Sequence, residues 1–137
     1  MLGTDLCAVL ERSGWSVRGL DLPEFDITNP DHLDPEVLGG DSIIVNCAAY
    51  TDVEKAETET EKALSVNAEA VGNLGQMAAK NGLWVLHIST DFVFDGRKAE
   101  PYSEKDETNP INEYGRSKLA GEQLLSRSGC SSCSTSR

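Results

Sequence analysis

Thr90, Tyr114 and Lys118 are the residues whose types and spacing could do chemistry, set in His87-Ile-Ser-Thr-Asp-Phe-Val-Phe-Asp-Gly96 and Tyr114-Gly-Arg-Ser-Lys118. A Tyr and a Lys four residues apart on a helix share one face, which lets the ammonium approach the phenol. A cation there favours the phenolate and draws the phenol down from its ordinary pKa of about 10. Such a phenol can pass a proton to or from a substrate oxygen near neutral pH. Thr90 follows the apolar run Trp84–Ile88, which reads as a buried parallel strand. Its hydroxyl would then sit at a strand's carboxyl end, the edge where doubly wound sheets bind ligands. A hydroxyl and a phenol converging on one carbonyl, backed by an ammonium, suit hydride transfer between a nicotinamide and a carbonyl or alcohol. A bare Tyr-x-x-x-Lys arises often by chance, so its weight comes from the sequence around it.

The elements that must position these residues follow a β/α rhythm. Leu2 to Ser13 reads as a helix with Leu6, Val9 and Leu10 at helical spacing, closed by Gly14. Trp15 to Leu20 reads as a strand ending at Asp21. Asn29-Pro30 has the form of an N-cap and first-turn proline opening a short helix to about Leu38. Ser42 to Cys47 reads as a buried strand, and helical patterns fill Asp52 to Leu64 and Asn67 to Lys80 before Asn81-Gly82. After the strand Trp84 to Ile88, Ser89 to Asn109 reads as a long loop, and a last helix runs from about Ile111 to Ser126. Strands separated by helices imply parallel βαβ units and a doubly wound α/β fold.

Composition narrows the function classes. Over 137 residues there are 12 basic and 23 acidic side chains, a net charge of −11, which argues against nucleic-acid or anionic-membrane partners. No apolar run approaches the roughly 20 residues that span a bilayer. Asp5 and Glu11 interrupt the place where a signal peptide would be apolar, so the cytoplasm is the expected compartment. Cys7 and Cys47 lie in apolar stretches and read as small core residues. Cys130 and Cys133 form a C-x-x-C, but His32 and His87 are far away in sequence, so no metal site is expected.

Four segments together resemble the extended short-chain dehydrogenase/reductase superfamily and, within it, the dTDP-4-dehydrorhamnose reductase family. They are Ile44 to Glu57 (Ile-Val-Asn-Cys-Ala-Ala-Tyr-Thr-Asp-Val-Glu-Lys-Ala-Glu), Val66 to Leu74, His87 to Gly96 and Asn109 to Glu122. The resemblance runs from Met1 to about Ser126. It implies an NAD(P)-binding Rossmann-like sheet and NADPH- or NADH-dependent reduction of a 4-keto nucleotide sugar. In that chemistry Tyr114 supplies the proton, Lys118 holds the nicotinamide ribose and the phenolate, and Thr90, with Asp91 beside it, meets the substrate.

Further cofactor positions follow by the same resemblance. Met1 and Leu2 fall where backbone amides meet the pyrophosphate at a helix N-terminus. Asp21 would hydrogen-bond the adenosine ribose, which favours NADH over NADPH, although the family uses both. Asp26 and Ile27 flank the adenine, Ala48, Ala49 and Tyr50 let the backbone approach the cofactor, and Phe92 lies near the nicotinamide. Asn67 bridges backbone groups beneath the site. The expected partner is a nucleotide sugar, with room for a homodimer of the full-length form. A catalytically silent subunit, like the regulatory subunit of methionine adenosyltransferase, and a nucleotide-sugar epimerase are the alternative readings.

Both ends depart from the family pattern. Met1-Leu2-Gly3 matches only the end of its glycine motif, so the first strand and the substrate domain are expected to be absent. Residues 1–126 then form a partial dinucleotide-binding domain, and the Ser-rich residues 127–137 a disordered tail outside the family pattern. In the strand order 3-2-1-4-5-6 the absent strand is expected between Trp15–Leu20 and Trp84–Ile88, leaving both with unpaired edges. The chain is accordingly expected to fold poorly and to be inactive alone.

Overall fold

The computed structural model describes residues 1–38, 43–130 and 133–136. Its centre is a parallel sheet of β1 (Ile43–Asn46), β2 (Trp84–Ile88) and β3 (Cys133–Ser136), in the order β1-β2-β3. Ile43 pairs with Trp84 and Asn46 with His87 across the first ladder, and Val85 pairs with Cys133 across the second. The helices are α1 (Leu2–Arg12), α2 (Pro35–Leu38), α3 (Val53–Ala56), α4 (Thr60–Leu64), α5 (Ala70–Asn81) and α6 (Glu113–Arg127). α5 and α6 pack against each other and against the sheet. Leu33, Val71, Leu74, Ala78, Leu83, Val85 and Leu125 form the core between them. Each such Leu or Val, fully buried, contributes about 1.5–3 kcal/mol.

Helix boundaries follow local chemistry. Asn29 caps the 3₁₀ turn Pro30–His32, its Oδ1 accepting the Asp31 N–H. Pro35 then starts α2 separately, so the expected single helix to Leu38 is broken in two. Asp52 caps α3 through the Lys55 N–H, but α3 ends at Ala56 and α4 begins at Thr60. From Thr60 to Asn81 the helix is continuous, because Ser65–Glu69 form a π-helical turn that joins α4 to α5 where the sequence pattern suggested two helices. Gly82, at φ 66°, ends α5 in the left-handed conformation. Asn112 caps α6, accepting the Gly115 N–H at 2.7 Å. The long loop before α6 is held by its own polar groups: Asp95 accepts the Tyr102 hydroxyl, and Lys98 pairs with Asp106 at 2.8 Å.

Three expectations are corrected. Trp15 to Leu20 forms no strand: it has no ladder partner among the described residues, and Trp15 is 61% exposed. The supposed gap does not border Trp84–Ile88, since β2 is paired on both sides; the strands with a free edge among the described residues are β1 and β3. The expected disordered tail instead continues α6 to Arg127 and adds β3, with the Ser89 N–H donating to the Ser136 carbonyl at 2.6 Å. A ladder is made by backbone groups, so a Ser-rich segment can complete a sheet edge without apolar side chains. Ser42, the first residue of the expected second strand, lies outside the described residues, as do Ser131, Ser132 and Arg137. Cys130 is in a disulfide and packs against the core. No helix among the described residues is long and apolar enough to cross a membrane.

α6 lies so close to the π-helical turn that a Cβ on Gly121 would sit 2.0 Å from the Asn67 carbonyl oxygen. Backbone cannot yield as a side-chain tip can, so Gly121→Ala should cost about 3 kcal/mol or more. For a chain of this size that lowers Tm by roughly 10 °C. Thermal unfolding followed by circular dichroism checks it, and a melt within about 2 °C of wild type would mean that the two helices are not in contact here.

Candidate active site

The carboxyl end of β2 runs directly into the 3₁₀ turn Asp91–Val93, which is capped by Thr90: its Oγ1 accepts the Phe92 N–H at 3.2 Å and donates to Asp91 Oδ1 at 3.2 Å. Phe92, 42% exposed, meets the Tyr114 ring edge-on with centroids 5.5 Å apart. Thr90, Asp91, Phe92 and Tyr114 therefore share one surface, built from the end of a strand and the first turn of α6. The approach depends on Gly115, where a Cβ would fall 2.3 Å from the Phe92 carbonyl oxygen.

Lys118 is on the same helix but is buried, with 1% exposure. Its Nζ donates to the Ile88 carbonyl at 2.7 Å and lies 3.4 Å from His87 Nε2. The structure thus engages the lysine nitrogen at the end of β2 rather than on the phenol, because the Ile88 carbonyl is a strong acceptor within its reach. Burial lowers Lys118 to about 8, against a smaller upward pull from Glu122 and Cys47. Burial, then Lys118, lowers His87 to about 3. Behind them, His87 Nδ1 lies 3.1 Å from Asn46 Nδ2, and Asn46 Oδ1 accepts the Ala48 N–H at 3.0 Å.

The segment after β1 is fixed from below. Asn67 Oδ1 accepts the Tyr50 N–H at 2.8 Å, and Asn67 Nδ2 donates to the Tyr50 carbonyl at 3.1 Å and to Ser117 Oγ at 2.9 Å. Ser117 Oγ donates in turn to the Tyr114 carbonyl at 2.7 Å. One buried amide thereby ties the Ala48–Tyr50 loop to the helix of Tyr114 and Lys118. The Tyr50 hydroxyl donates to Glu59 at 3.2 Å, and burial followed by that carboxylate raises its pKa.

The other expected cofactor residues are placed less uniformly. Met1 and Leu2 are exposed at the start of α1, whose N-terminus has no side-chain cap. Gly3 faces the loop after β1, since a Cβ on it would come 3.5 Å from Cys47 Cβ. This brings the first turn of the uncapped helix beside Cys47, the residue that precedes Ala48. Asp21 is exposed and accepts the Leu22 N–H at 2.8 Å. Asp26 is turned inward to the Thr28 side chain and N–H, which hold its carboxyl below the usual range. Ile27 packs against the core.

Sequence reasoning missed four positions here: His87 and Ser117, which contact Lys118 and Asn67; Gly115, which lets the turn close; and Glu122, which accepts the Ser89 hydroxyl at 2.5 Å. The only signals were a histidine inside an apolar strand and small residues spaced along α6. Two shallow concavities, at Thr58–Lys62 and between Thr108 and Thr135, are not lined by Thr90, Tyr114 or Lys118. No cluster of three metal-ligating side chains occurs among the described residues.

Comparison with known proteins identifies the family. Residues 1–134 match the RmlD substrate binding domain family. The chain is 45% identical over 126 residues to the dTDP-4-dehydrorhamnose reductase of Mycolicibacterium smegmatis, covering 91% of this chain and 38% of that one. It is 42% identical over 128 residues to the Mycobacterium tuberculosis enzyme of the same name, covering 90% and 42%. The chain thus spans about two-fifths of the length of these relatives. Among solved structures, the dTDP-4-dehydrorhamnose reductase from Bacillus anthracis in complex with NADP superposes with a TM-score of 0.90 at 35% identity, over 98% of this chain and 48% of that one. RMD from Pseudomonas aeruginosa complexed with NADPH gives 0.82 at 26% identity, over 100% and 49%. The sheet is accordingly Rossmann-like, and the chain belongs to the RmlD family.

Proposed function

We propose that this chain is the cofactor-binding and proton-transfer portion of an NADPH- or NADH-dependent reductase acting on a 4-keto nucleotide sugar of the dTDP-4-dehydrorhamnose type. The observation that carries the reading is the shared surface of Thr90, Asp91, Phe92 and Tyr114 at the carboxyl end of β2, with Lys118 one turn below. Relatives named for this reaction, and related structures holding NADP or NADPH, support it. The residues present fit a dinucleotide: the uncapped first turn of α1 stands against Cys47, where β1 leads into the small residues Ala48 and Ala49, a setting suited to a pyrophosphate. A bound NADPH or NADH supplies the hydride.

The chain's own groups do the rest. The Thr90 hydroxyl donates to the substrate carbonyl in place of Asp91, and Tyr114 gives its phenolic proton to the same oxygen as charge develops there. Lys118 leaves the Ile88 carbonyl to hold the ribose and the phenolate. Phe92 walls the nicotinamide side, Asp91 meets the substrate, and Asp21, Asp26 and Ile27 serve the adenosine end. Because the chain spans about two-fifths of its relatives, turnover is proposed for a protein of their length carrying this segment. A cytoplasmic location and a homodimer of that longer protein come with the reading. The silent-subunit alternative is disfavoured by the presence of Thr90, Tyr114 and Lys118 together.

The test is to place this segment in the Mycolicibacterium smegmatis reductase in exchange for the matching residues. Tyr114→Phe should lower kcat by about 10²–10⁴ while NADPH affinity changes little, because the hydroxyl acts in the transition state. Lys118→Met should damage both binding and rate. Near-normal turnover in Tyr114→Phe would sink the assignment.

Asp21 gives a second, independent check. A carboxylate facing the ribose repels a 2′-phosphate, so Asp21→Asn should shift the kcat/KM ratio toward NADPH over NADH by about tenfold. An unchanged ratio would mean that Asp21 serves only the turn it makes with the Leu22 N–H.

A further inference from the structure

His87 is fully buried in the middle strand, and nothing in the proton path described above uses it. Its ring nitrogens face opposite ways: Nδ1 toward Asn46 Nδ2 at 3.1 Å, and Nε2 toward Lys118 Nζ at 3.4 Å. The proton positions follow from donor and acceptor chemistry. The Ala48 N–H can only donate, so the Asn46 atom it meets is the oxygen, and the Asn46 NH₂ must face His87. An NH₂ can only donate, so His87 Nδ1 must carry its lone pair. Neutral imidazole has one N–H, and here that hydrogen is on Nε2, aimed at the lysine. The opposite tautomer would set N–H against NH₂, or would require Asn46 to turn over and lose the bond from the Ala48 N–H.

The consequence falls on Lys118. An ammonium has only donors, so at His87 it meets another donor, while a free amine can accept from Nε2–H and still donate to the Ile88 carbonyl 2.7 Å away. We propose that His87 is a positioning residue for Lys118, its Nε2 hydrogen, aimed by Asn46, holding the deprotonated lysine nitrogen as an acceptor above the Ile88 carbonyl. The groups facing the lysine from other elements are His87 on β2 and Cys47 after β1; along its own helix lie Glu122 and Tyr114. Glu122 and Cys47 favour the ammonium, whereas burial and the Nε2 hydrogen favour the amine. On the reading of Lys118 given above, which this inference deepens, His87 sets the resting place from which the side chain swings to the phenol.

Two measurements on the 137-residue chain test this without cofactor or substrate, so their outcome is separate from that of the proposed reaction. The chain has two histidines, and ¹⁵N labelling with His32→Gln identifies the His87 signals. The expected spectrum has Nε2 protonated and Nδ1 bare, unchanged as pH falls from about 8 to about 5 because burial holds the ring neutral down to about 3. In ¹³C-lysine spectra Lys118 should titrate near 8, and His87→Leu should move its midpoint up by about one pH unit through loss of a hydrogen bond to the amine. If His87 instead accepted from the ammonium, the same substitution would move the midpoint down. An Nδ1–H tautomer, a downward shift, or random-coil His87 signals overturn the proposal. Should His87→Leu not fold, the wild-type tautomer decides alone.

Discussion

The buried side chain of Asn67 is the interaction on which the rest of the site depends. It closes both backbone groups of Tyr50 and the hydroxyl of Ser117, and so joins three pieces that are distant in sequence: the loop after β1, the π-helical turn and α6. A single amide can do this because it offers a donor and an acceptor in one plane. Within this low-dielectric layer each of its bonds is strengthened, and each would be costly to leave unmade. The glycine at position 121 lets α6 approach the carbonyl of the same residue. Position and orientation of α6 are thus fixed by one polar residue and one absent side chain.

Above that layer the site is built from strand ends. β2 is flanked on both sides, so the residues that leave it, Ser89 to Phe92, start from a rigid base. Ser89 is anchored to Glu122 of α6 and Thr90 caps the turn that carries Phe92 to Tyr114. The charge of the lysine is managed by the same strand, through the Ile88 carbonyl and the His87 ring. The contacts of the buried lysine and the sheet architecture therefore share atoms.

Much of this was legible from residue types. The strands at Trp84–Ile88 and around Ile44–Asn46, the cap Asn29 and the Gly82 stop follow from local rules that depend on few neighbours. Thr90 and Tyr114 could be named as partners because a family pattern links them, and the structure puts them on one surface through Phe92. What was not legible depended on distant pairing. Trp15–Leu20 has a strand's sequence but no ladder partner, while Cys133–Ser136 has almost no apolar content and yet forms a strand. The sheet order was misjudged for the same reason, since adjacency of strands is a property of the whole chain. The resting contact of Lys118 also lay out of reach, because a four-residue spacing states which helix face is shared and not where a long side chain ends.

The π-helical turn has a consequence for how this segment can change. A π turn is an α-helix holding one surplus residue, so everything after it is rotated by about 100° relative to an uninterrupted helix. Ala63 before it and Val71 after it are both fully buried only with that offset in place, and Asn67 sits at its centre. Removing one residue within Ser65–Glu69 would return the turn to regular winding with both buried stripes still facing the core, whereas an added residue wound regularly would rotate one half by about 100° and turn its stripe toward water. The length of this helix is therefore constrained by phase in one direction: it can lose its surplus residue, together with the place that holds Asn67, but it cannot absorb a further insertion as a surface helix would.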